Sequence, residues 1–301
     1  MRLAVTGRNG QVVQSLVERA RAHPDVVVVA VGRPDLDLTD PATIRPALEA
    51  ARPDIVVSAA AYTAVDRAED EPNLAYAVNE AGAGHTAQAA AAMGVPVIHL
   101  STDYVFSGEG EHPWREDDGL APGGVYGASK LAGEKAVARA NPRHIILRTA
   151  WVYSPFGANF VKTMLRLAQT RDEIAVVADQ WGNPTSALDL AEGILHVAAS
   201  LSGQERPEQF GVFHMAGTGE TNWSGLAKTV FAASRLHGGP SATVRDIVSA
   251  DYPTKARRPF NSRLSTEKLA AVYGWRAPDW RLSTAAAVER LLAGAGTEGH
   301  V

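Results

Sequence analysis

The sequence predicts an α/β protein in which a doubly wound parallel sheet carries a smaller C-terminal lobe. Three observations lead there. Short apolar, β-branched runs alternate with Ala-rich stretches through the first half of the chain; a Gly-containing turn follows the first run; and past about residue 148 that rhythm gives way to segments rich in Pro, Gly and Trp. At 301 residues the chain is long enough for one large domain with an added lobe. With no Cys at all, a disulfide scaffold, a thiolate nucleophile and Cys-ligated metals are excluded. The 29 Lys and Arg against 33 Asp and Glu leave a mildly acidic net charge of −4 without a basic cluster, which argues against a nucleic-acid partner.

Taken in order, the runs at 3–6, 26–31, 55–58, 95–100 and 145–147 suit strands buried on both faces of a parallel sheet. The stretches at 12–22, 42–51, 74–93 and 131–140 are good helix formers of crossover length. Strand–helix repetition implies right-handed crossovers and hence a Rossmann-like sheet over residues 1–150. Beyond it, 159–170 and 188–200 are expected as helices and 212–216 as one more strand, so that 186–216 returns to the sheet domain. Segments 151–185 and 217–290 are expected to form a substrate-binding lobe over the C-terminal sheet edge, where open α/β sheets bind ligands. The Gly-rich tail, 294–301, is expected to be flexible. The N-terminus reaches a polar turn too soon for a signal peptide, and no apolar run approaches the roughly 20 residues of a membrane helix. The expected setting is cytoplasmic, away from membranes.

The turn Thr6-Gly7-Arg8-Asn9-Gly10-Gln11 joins the first strand to the first helix. Glycines there let the backbone bend sharply and let a pyrophosphate approach the helix N-terminus, whose free N–H groups favour anions. Two glycines alone also suit an ordinary strand–helix junction; the position at the first crossover favours a dinucleotide. The third glycine of the general fingerprint is replaced by Val13. At the end of the second strand stands Arg33, where an acid would bind the ribose 2′-OH of NAD and an Arg pairs with the 2′-phosphate of NADP. Arg33 therefore favours NADP(H), with NAD(H) left open and Asp37 within reach of the adenosine; a solvated loop charge is the other reading of Arg33.

Tyr126 and Lys130 stand four apart, on one face of a helix if one forms. A phenol has a reference pKa near ~10, and a neighbouring ammonium, together with the positive charge of an oxidised nicotinamide, is expected to lower it toward useful range for proton transfer. Lys130 is also placed to bind the nicotinamide ribose. Upstream, Ser101-Thr102-Asp103-Tyr104-Val105-Phe106 leaves the fourth strand, and Thr102 offers a hydroxyl to a substrate carbonyl. A Tyr stacked on a Lys stem on an exposed helix accounts for the pair alone. The order of Gly turn, strand-end hydroxyl and Tyr-x-x-x-Lys favours carbonyl–alcohol chemistry with a nicotinamide.

At these residues the chain resembles the extended short-chain dehydrogenases/reductases, and within them the dTDP-4-dehydrorhamnose reductase family. Tyr126-Gly127-Ala128-Ser129-Lys130 is shared, and the narrowest shared stretches are Ser101 to Phe106 and Asp179-Gln180-Trp181-Gly182-Asn183-Pro184-Thr185. The resemblance implies Tyr126 as proton donor, Lys130 as ribose partner and Thr102 as the carbonyl-polarising hydroxyl. It implies cofactor contacts from Gly7, Asn9, Gly10, Gln11, Arg33, Asp37, Leu38, Ala60, Ala61 and Tyr62. Thr102, Asp103 and Trp151 are implied to contact a dTDP-linked 4-keto-6-deoxy sugar, the flat face of Trp151 against its ring. Asn159 and Arg258 are implied at the diphosphate, although a helix cap or a surface charge also explains them. The alternatives are another sugar-nucleotide 4-ketoreductase or epimerase, or a non-catalytic regulatory subunit on the same fold. Three departures stand out: Val13 crowds the first turn, Pro122-Gly123-Gly124 replaces Pro-Leu-Asn before Tyr126, and Ser15 and Leu188 replace the carboxylates that hold Mg²⁺ at a dimer contact in some members. No metal is therefore expected, and a homodimer is left open.

Overall fold

The structure is a computed structural model that describes residues 1–201, 203 and 205–295. The chain runs β1 (Arg2–Thr6), α1 (Gln11–Arg19), β2 (Val27–Val31), α2 (Pro41–Ala51), β3 (Ile55–Ser58), α3 (Val65–Ala68), α4 (Pro72–Tyr76), α5 (Ala83–Ala92) and β4 (Val97–Thr102). It continues through α6 (Val125–Ala140), β5 (His144–Thr149), β6 (Val152–Tyr153), α7 (Phe160–Leu167), β7 (Glu173–Val177), β8 (Trp181–Gly182), β9 (Thr185–Ser186) and α8 (Ala187–Ser200). Then come β10 (Gly211–His214), β11 (Thr221–Asn222), α9 (Trp223–Leu236), β12 (Thr243–Ile247), β13 (Asn261–Ser262), α10 (Glu267–Tyr273) and α11 (Trp280–Ala295).

Six parallel strands in the order β2-β1-β3-β4-β5-β10 make the main sheet, confirming the α/β class. Side chains alternate across it as the pleat requires. Leu3, Val5, Val57, Ile98 and Leu147 pack under α1 and α8 with Leu16 and Ile194. Ala4, Val56, Val97 and Ile146 face the other layer, where Ile44, Leu48 and Ala87 come from α2 and α5. Burial on both faces explains why these strands are continuously apolar.

Where the boundaries shift, polar partners are the cause. β4 and β5 extend past their apolar runs because Ser101 pairs with Arg148 and Thr102 with Thr149 in the ladder. The helix expected at 74–93 is interrupted by a π-helical turn, Ala77–Gly82. There Gly82 lies so close to Leu38 that a Cβ would come within 2.7 Å of it, and Asn79 turns inward. The helix expected at 131–140 begins six residues earlier, since the Glu69 carboxylate accepts the Val125 N–H at 2.8 Å and Gly124 is the N-cap.

The second half builds its own core. Val161, Met164, Ile174, Leu226, Phe231 and Val288 pack together from α7, the parallel pair β7–β12, α9 and α11. Of the expected tail, Gly294 and Ala295 complete α11, and 296–301 lie outside the described residues. No helix among the described residues is long and apolar enough to cross a membrane.

Candidate active site

The chain steps from β1 outward to β2, then back past β1 to β3, so the strand order reverses between β1 and β3. Crevices at such points hold ligands. The Thr6 hydroxyl accepts the N–H groups of Ala59 and Ala60 at 3.0 Å each, closing the floor of this one. Gly7 has φ +100°, a conformation that favours glycine, and a Cβ on it would meet Val13 at 3.4 Å and Ala60 at 3.5 Å. The Gly10 N-cap of α1 gives its first turn no side-chain acceptor. This cradle of exposed Asn9 and Gly10 with uncapped N–H groups fits a pyrophosphate. Val13 is 2% exposed within the core, so its bulk stays in the helix–strand contact, away from the open side of the turn.

Around the cradle, Arg33 is exposed beside half-buried Asp37 and buried Leu38. Hydrogen bonds from Thr39 hold the Asp37 carboxyl below its ordinary range, with Arg33 adding to the effect. Ala60, Ala61 and Tyr62 follow β3, half-buried, and the Tyr62 N–H donates to Asn79 Oδ1 at 2.8 Å. One residue escaped the sequence reading. Arg8 lies across the end of β2, its Nε donating to the Gly32 carbonyl at 3.2 Å while its guanidinium pairs with Asp35, and so stands as a second cation beside Arg33. Gln11 turns the other way: its side-chain oxygen accepts from Ser154 at 2.8 Å and from Asn159 at 3.1 Å.

Thr102, Asp103, Tyr126 and Lys130 come together where β4 ends against α6. The fit depends on glycine: a Cβ at Gly127 would lie 2.2 Å from the Tyr104 carbonyl oxygen, and one at Gly133 would lie 2.0 Å from that of Asn79. A buried bidentate pair between Arg148 and Glu134, at 2.8 and 2.9 Å, locks β5 to α6, with Ser101 donating to the same carboxylate. Asn79 joins the other side, donating to the Ser129 hydroxyl at 3.0 Å.

The Thr102 hydroxyl donates to Asp103 Oδ1 at 3.0 Å and accepts the Tyr104 N–H. Burial pushes the Asp103 carboxyl up to about 6, against the Ser262 and Thr102 hydroxyls. Burial likewise holds the Tyr126 phenol well above its ordinary range, and the group that opposes this is Thr102. Lys130 is not among the groups that act on the phenol in this structure. Its Nζ instead donates to the Leu100 carbonyl at 2.6 Å and lies 3.5 Å from His99 Nε2, and burial depresses its pKa to about 8.

A cavity of about 820 Å³ opens beside this group, walled by Tyr104, Trp151, Trp223, Arg258 and the strands β7 and β12. Tyr126 borders a smaller adjoining pocket that shares Tyr104 and Pro259 with it. Arg258 pairs with Asp66 and donates to the Tyr104 hydroxyl at 3.4 Å. Trp151 has φ +50°, a strained region for a bulky residue that costs about 1–3 kcal/mol. One face of its indole is covered by Trp223, with ring centroids 3.7 Å apart. Asn159 is not brought to the cavity: it caps α7, accepting the Lys162 N–H, and donates to Gln11 and Ser154. Ser15 and Leu188 are buried on α1 and α8, and no cluster of three or more His, Asp or Glu suited to a metal occurs among the described residues.

Residues 1–293 match the family described as the RmlD substrate binding domain. The chain belongs to the dTDP-4-dehydrorhamnose reductase family. It is 52% identical over 292 residues to the dTDP-4-dehydrorhamnose reductase of Sinorhizobium fredii, covering 97% of this chain and 98% of that one. To the Escherichia coli K12 reductase it is 42% identical over 296 residues, 97% of each. Among solved structures, the Clostridium acetobutylicum reductase superimposes with a TM-score of 0.89 at 35% identity, covering 97% of this chain and 100% of that one. The Bacillus anthracis reductase, solved in complex with NADP, gives 0.87 at 33% identity, covering 97% and 99%.

Proposed function

We propose that this chain reduces the C4 carbonyl of dTDP-4-dehydro-L-rhamnose to give dTDP-L-rhamnose, with NADPH favoured over NADH. One conjunction carries the reading: likeness to dTDP-4-dehydrorhamnose reductases over the whole chain, together with Thr102, Tyr126 and Lys130 gathered at the end of β4. Residues 1–150 with 186–216 form the dinucleotide half, and 151–185 with 217–290 the sugar-nucleotide half.

Gly7, Asn9, Gly10 and the first N–H groups of α1 hold the pyrophosphate. Asp37, Leu38, Ala60, Ala61 and Tyr62 flank the adenosine, and Arg33 with Arg8 meets the 2′-phosphate. Bound NADPH supplies the hydride. The Thr102 hydroxyl has one proton, which it gives to Asp103 in this structure, and on substrate binding it turns that proton to the carbonyl oxygen, while Tyr126 gives its proton to the alkoxide as it forms. A phenol held above its usual range is fully protonated at neutral pH, the state a donor requires, and a sugar alkoxide is basic enough to take the proton. With the substrate in place both donors face the carbonyl oxygen before charge develops on it, which lowers the barrier to forming the alkoxide. Lys130 binds the nicotinamide ribose from its anchor on Leu100, Trp151 and Asp103 bound the sugar, and Arg258 neutralises the diphosphate.

The test mixes the purified protein with NADPH and enzymatically generated dTDP-4-dehydro-L-rhamnose, follows nicotinamide absorbance and identifies the sugar. Stoichiometric oxidation with dTDP-L-rhamnose as product is expected; bound but unoxidised NADPH would sink the reductase reading. NADH in parallel tests the cofactor preference, which Arg8→Ala and Arg33→Ala are each expected to weaken. A wild-type preference for NADH overturns it.

A further inference from the structure

We propose that Trp223, oriented by Gln180, is a positioning residue that sets the indole of Trp151 and ties it to the segment opposite. What Trp151 touches in turnover rests on the reductase reading above; how it is held does not.

Trp151 occupies a left-handed backbone conformation, and such conformations persist where the surroundings over-determine them. Two contacts do so here. The Gly182 backbone lies against the indole, and a Cβ there would come within 2.5 Å of Trp151 Cε2. Trp223 stacks on the indole face at 3.7 Å with only 11° between planes, and is backed in turn by Phe160 at 4.7 Å. Trp223 is itself fixed at both ends. Its backbone opens α9 directly after Asn222, which accepts the Gly225 N–H and donates to the Ala178 carbonyl. At the far end Trp223 Nε1 donates to Gln180 Oε1 at 3.1 Å.

Gln180 passes the constraint on. Its Nε2 donates to the Ser249 hydroxyl at 2.9 Å, and Ser249 donates from its hydroxyl and its N–H to the Asp179 carboxylate. Ser249 begins the stretch that leads to Thr254 and Arg258, which line the same cavity as Trp151 and Trp223. Rotation of the Trp223 ring would break the bond to Gln180 and unstack Trp151, so the sugar-facing indole and the Arg258 side of the cavity are held as one unit. The Gln180-Trp181-Gly182 stretch thereby has a physical role: Gln180 orients one indole and Gly182 makes room for the other.

The test uses the full chain. Closely stacked indoles couple their transitions, so Trp151→Phe and Trp223→Phe are expected to remove the same couplet from the far-ultraviolet circular dichroism spectrum. Gln180→Leu, with both indoles present, is expected to diminish it while NADPH affinity is retained. In the NADPH-oxidation assay Trp223→Ala is expected to lower kcat/KM about two- to tenfold, the range of one aromatic pair, with Trp223→Phe in between. Trp151→Ala combined with Trp223→Ala should lose no more than Trp151→Ala alone, because Trp223 acts through Trp151. An unchanged couplet in Gln180→Leu, or additive losses in the double variant, overturns the proposal. If the wild type does not turn over the sugar nucleotide, the reductase reading falls by itself and the dichroism arm alone decides how Trp151 is held.

Discussion

Substituting Gly127 by Ala is expected to separate the chemistry of this site from its cofactor binding. Adding a methyl to an interior helical glycine ordinarily stabilises a helix by roughly 0.5–1 kcal/mol. Here the new carbon would lie 2.2 Å from the Tyr104 carbonyl oxygen and 3.0 Å from the Pro122 side chain. Backbone cannot swing aside as the end of a side chain can, so α6 and the Tyr104 carbonyl must part by roughly 1 Å before the contact becomes tolerable, and overpacking of this kind costs about 1–3 kcal/mol. Tyr126 rides on α6 and Thr102 on the end of β4, so the same displacement opens the gap between the two donors. A misplacement of about 1 Å costs on the order of 10²-fold in turnover. The assay is kcat for NADPH oxidation, with NADPH affinity and urea unfolding measured on the same preparations. A roughly 10²-fold lower kcat with a much smaller loss of NADPH affinity is expected, since the first turn and Arg33 lie on other elements and α6 offers the cofactor only Lys130. Gly123→Ala, whose Cβ would meet only the Arg257 side chain at 3.8 Å, is the matched control. Wild-type turnover and stability in Gly127→Ala would refute the claim that this close approach sets the donor pair.

Tyr126→Phe is expected to lower turnover by about 10²–10⁴-fold with the KM for the sugar nucleotide nearly unchanged, as steady-state kinetics will show. Glu134→Ala strands the Arg148 guanidinium in the interior, where it is 2% exposed, and is expected to cost about 3–5 kcal/mol in urea unfolding. By contrast Glu49→Ala, which breaks an exposed pair with Arg45, should cost under about 1 kcal/mol. Because burial raises Asp103 from 3.8 to about 6, its contribution to stability is fully present below pH 3.8 and is lost as pH rises through 6. Asp103→Asn is therefore expected to be the more stable protein above pH 7, by at most about 2–3 kcal/mol, and to lose that advantage near pH 4. Urea midpoints at the two pH values decide it.

The parts of the fold that could be read from the sequence are those set by local pattern. Strands buried on both faces announce themselves as apolar runs, and the first turn carries its glycines in the order a crossover requires. What escaped depends on partners distant in the chain. The start of α6 is fixed by Glu69, 56 residues upstream, which supplies the N-terminal acceptor that Gly124 lacks. The π-helical turn at Ala77–Gly82 answers to Leu38 and Ser129, neither of them near in sequence. Arg8 carries no signal in the sequence, where only the glycines of the turn have an evident purpose; its position against Gly32 exists only once β1 and β2 lie side by side. At Asn159 the sequence leaves two readings open, a diphosphate contact and a helix cap. Its place before a helix was also the signature of a cap, and the cap is what the structure contains.

The pair Tyr126 and Lys130 marks the limit of spacing arguments. Four residues do put both side chains on one face of α6, but helical spacing fixes where a side chain leaves the backbone, not where a flexible four-carbon stem ends. A buried ammonium needs acceptors, and the nearest strong one is the Leu100 carbonyl of β4, one strand residue before Ser101. In this structure Lys130 therefore fixes α6 to the sheet, while the group that opposes the upward shift of the phenol is Thr102. Thr102 can do this because the ladder carries β4 two residues beyond its last apolar side chain, opposite Thr149. The place of the Tyr126 phenol beside Thr102 is thus set by the length of a strand and the absence of a methyl on Gly127, two features that have meaning only when β4 and α6 are already in contact.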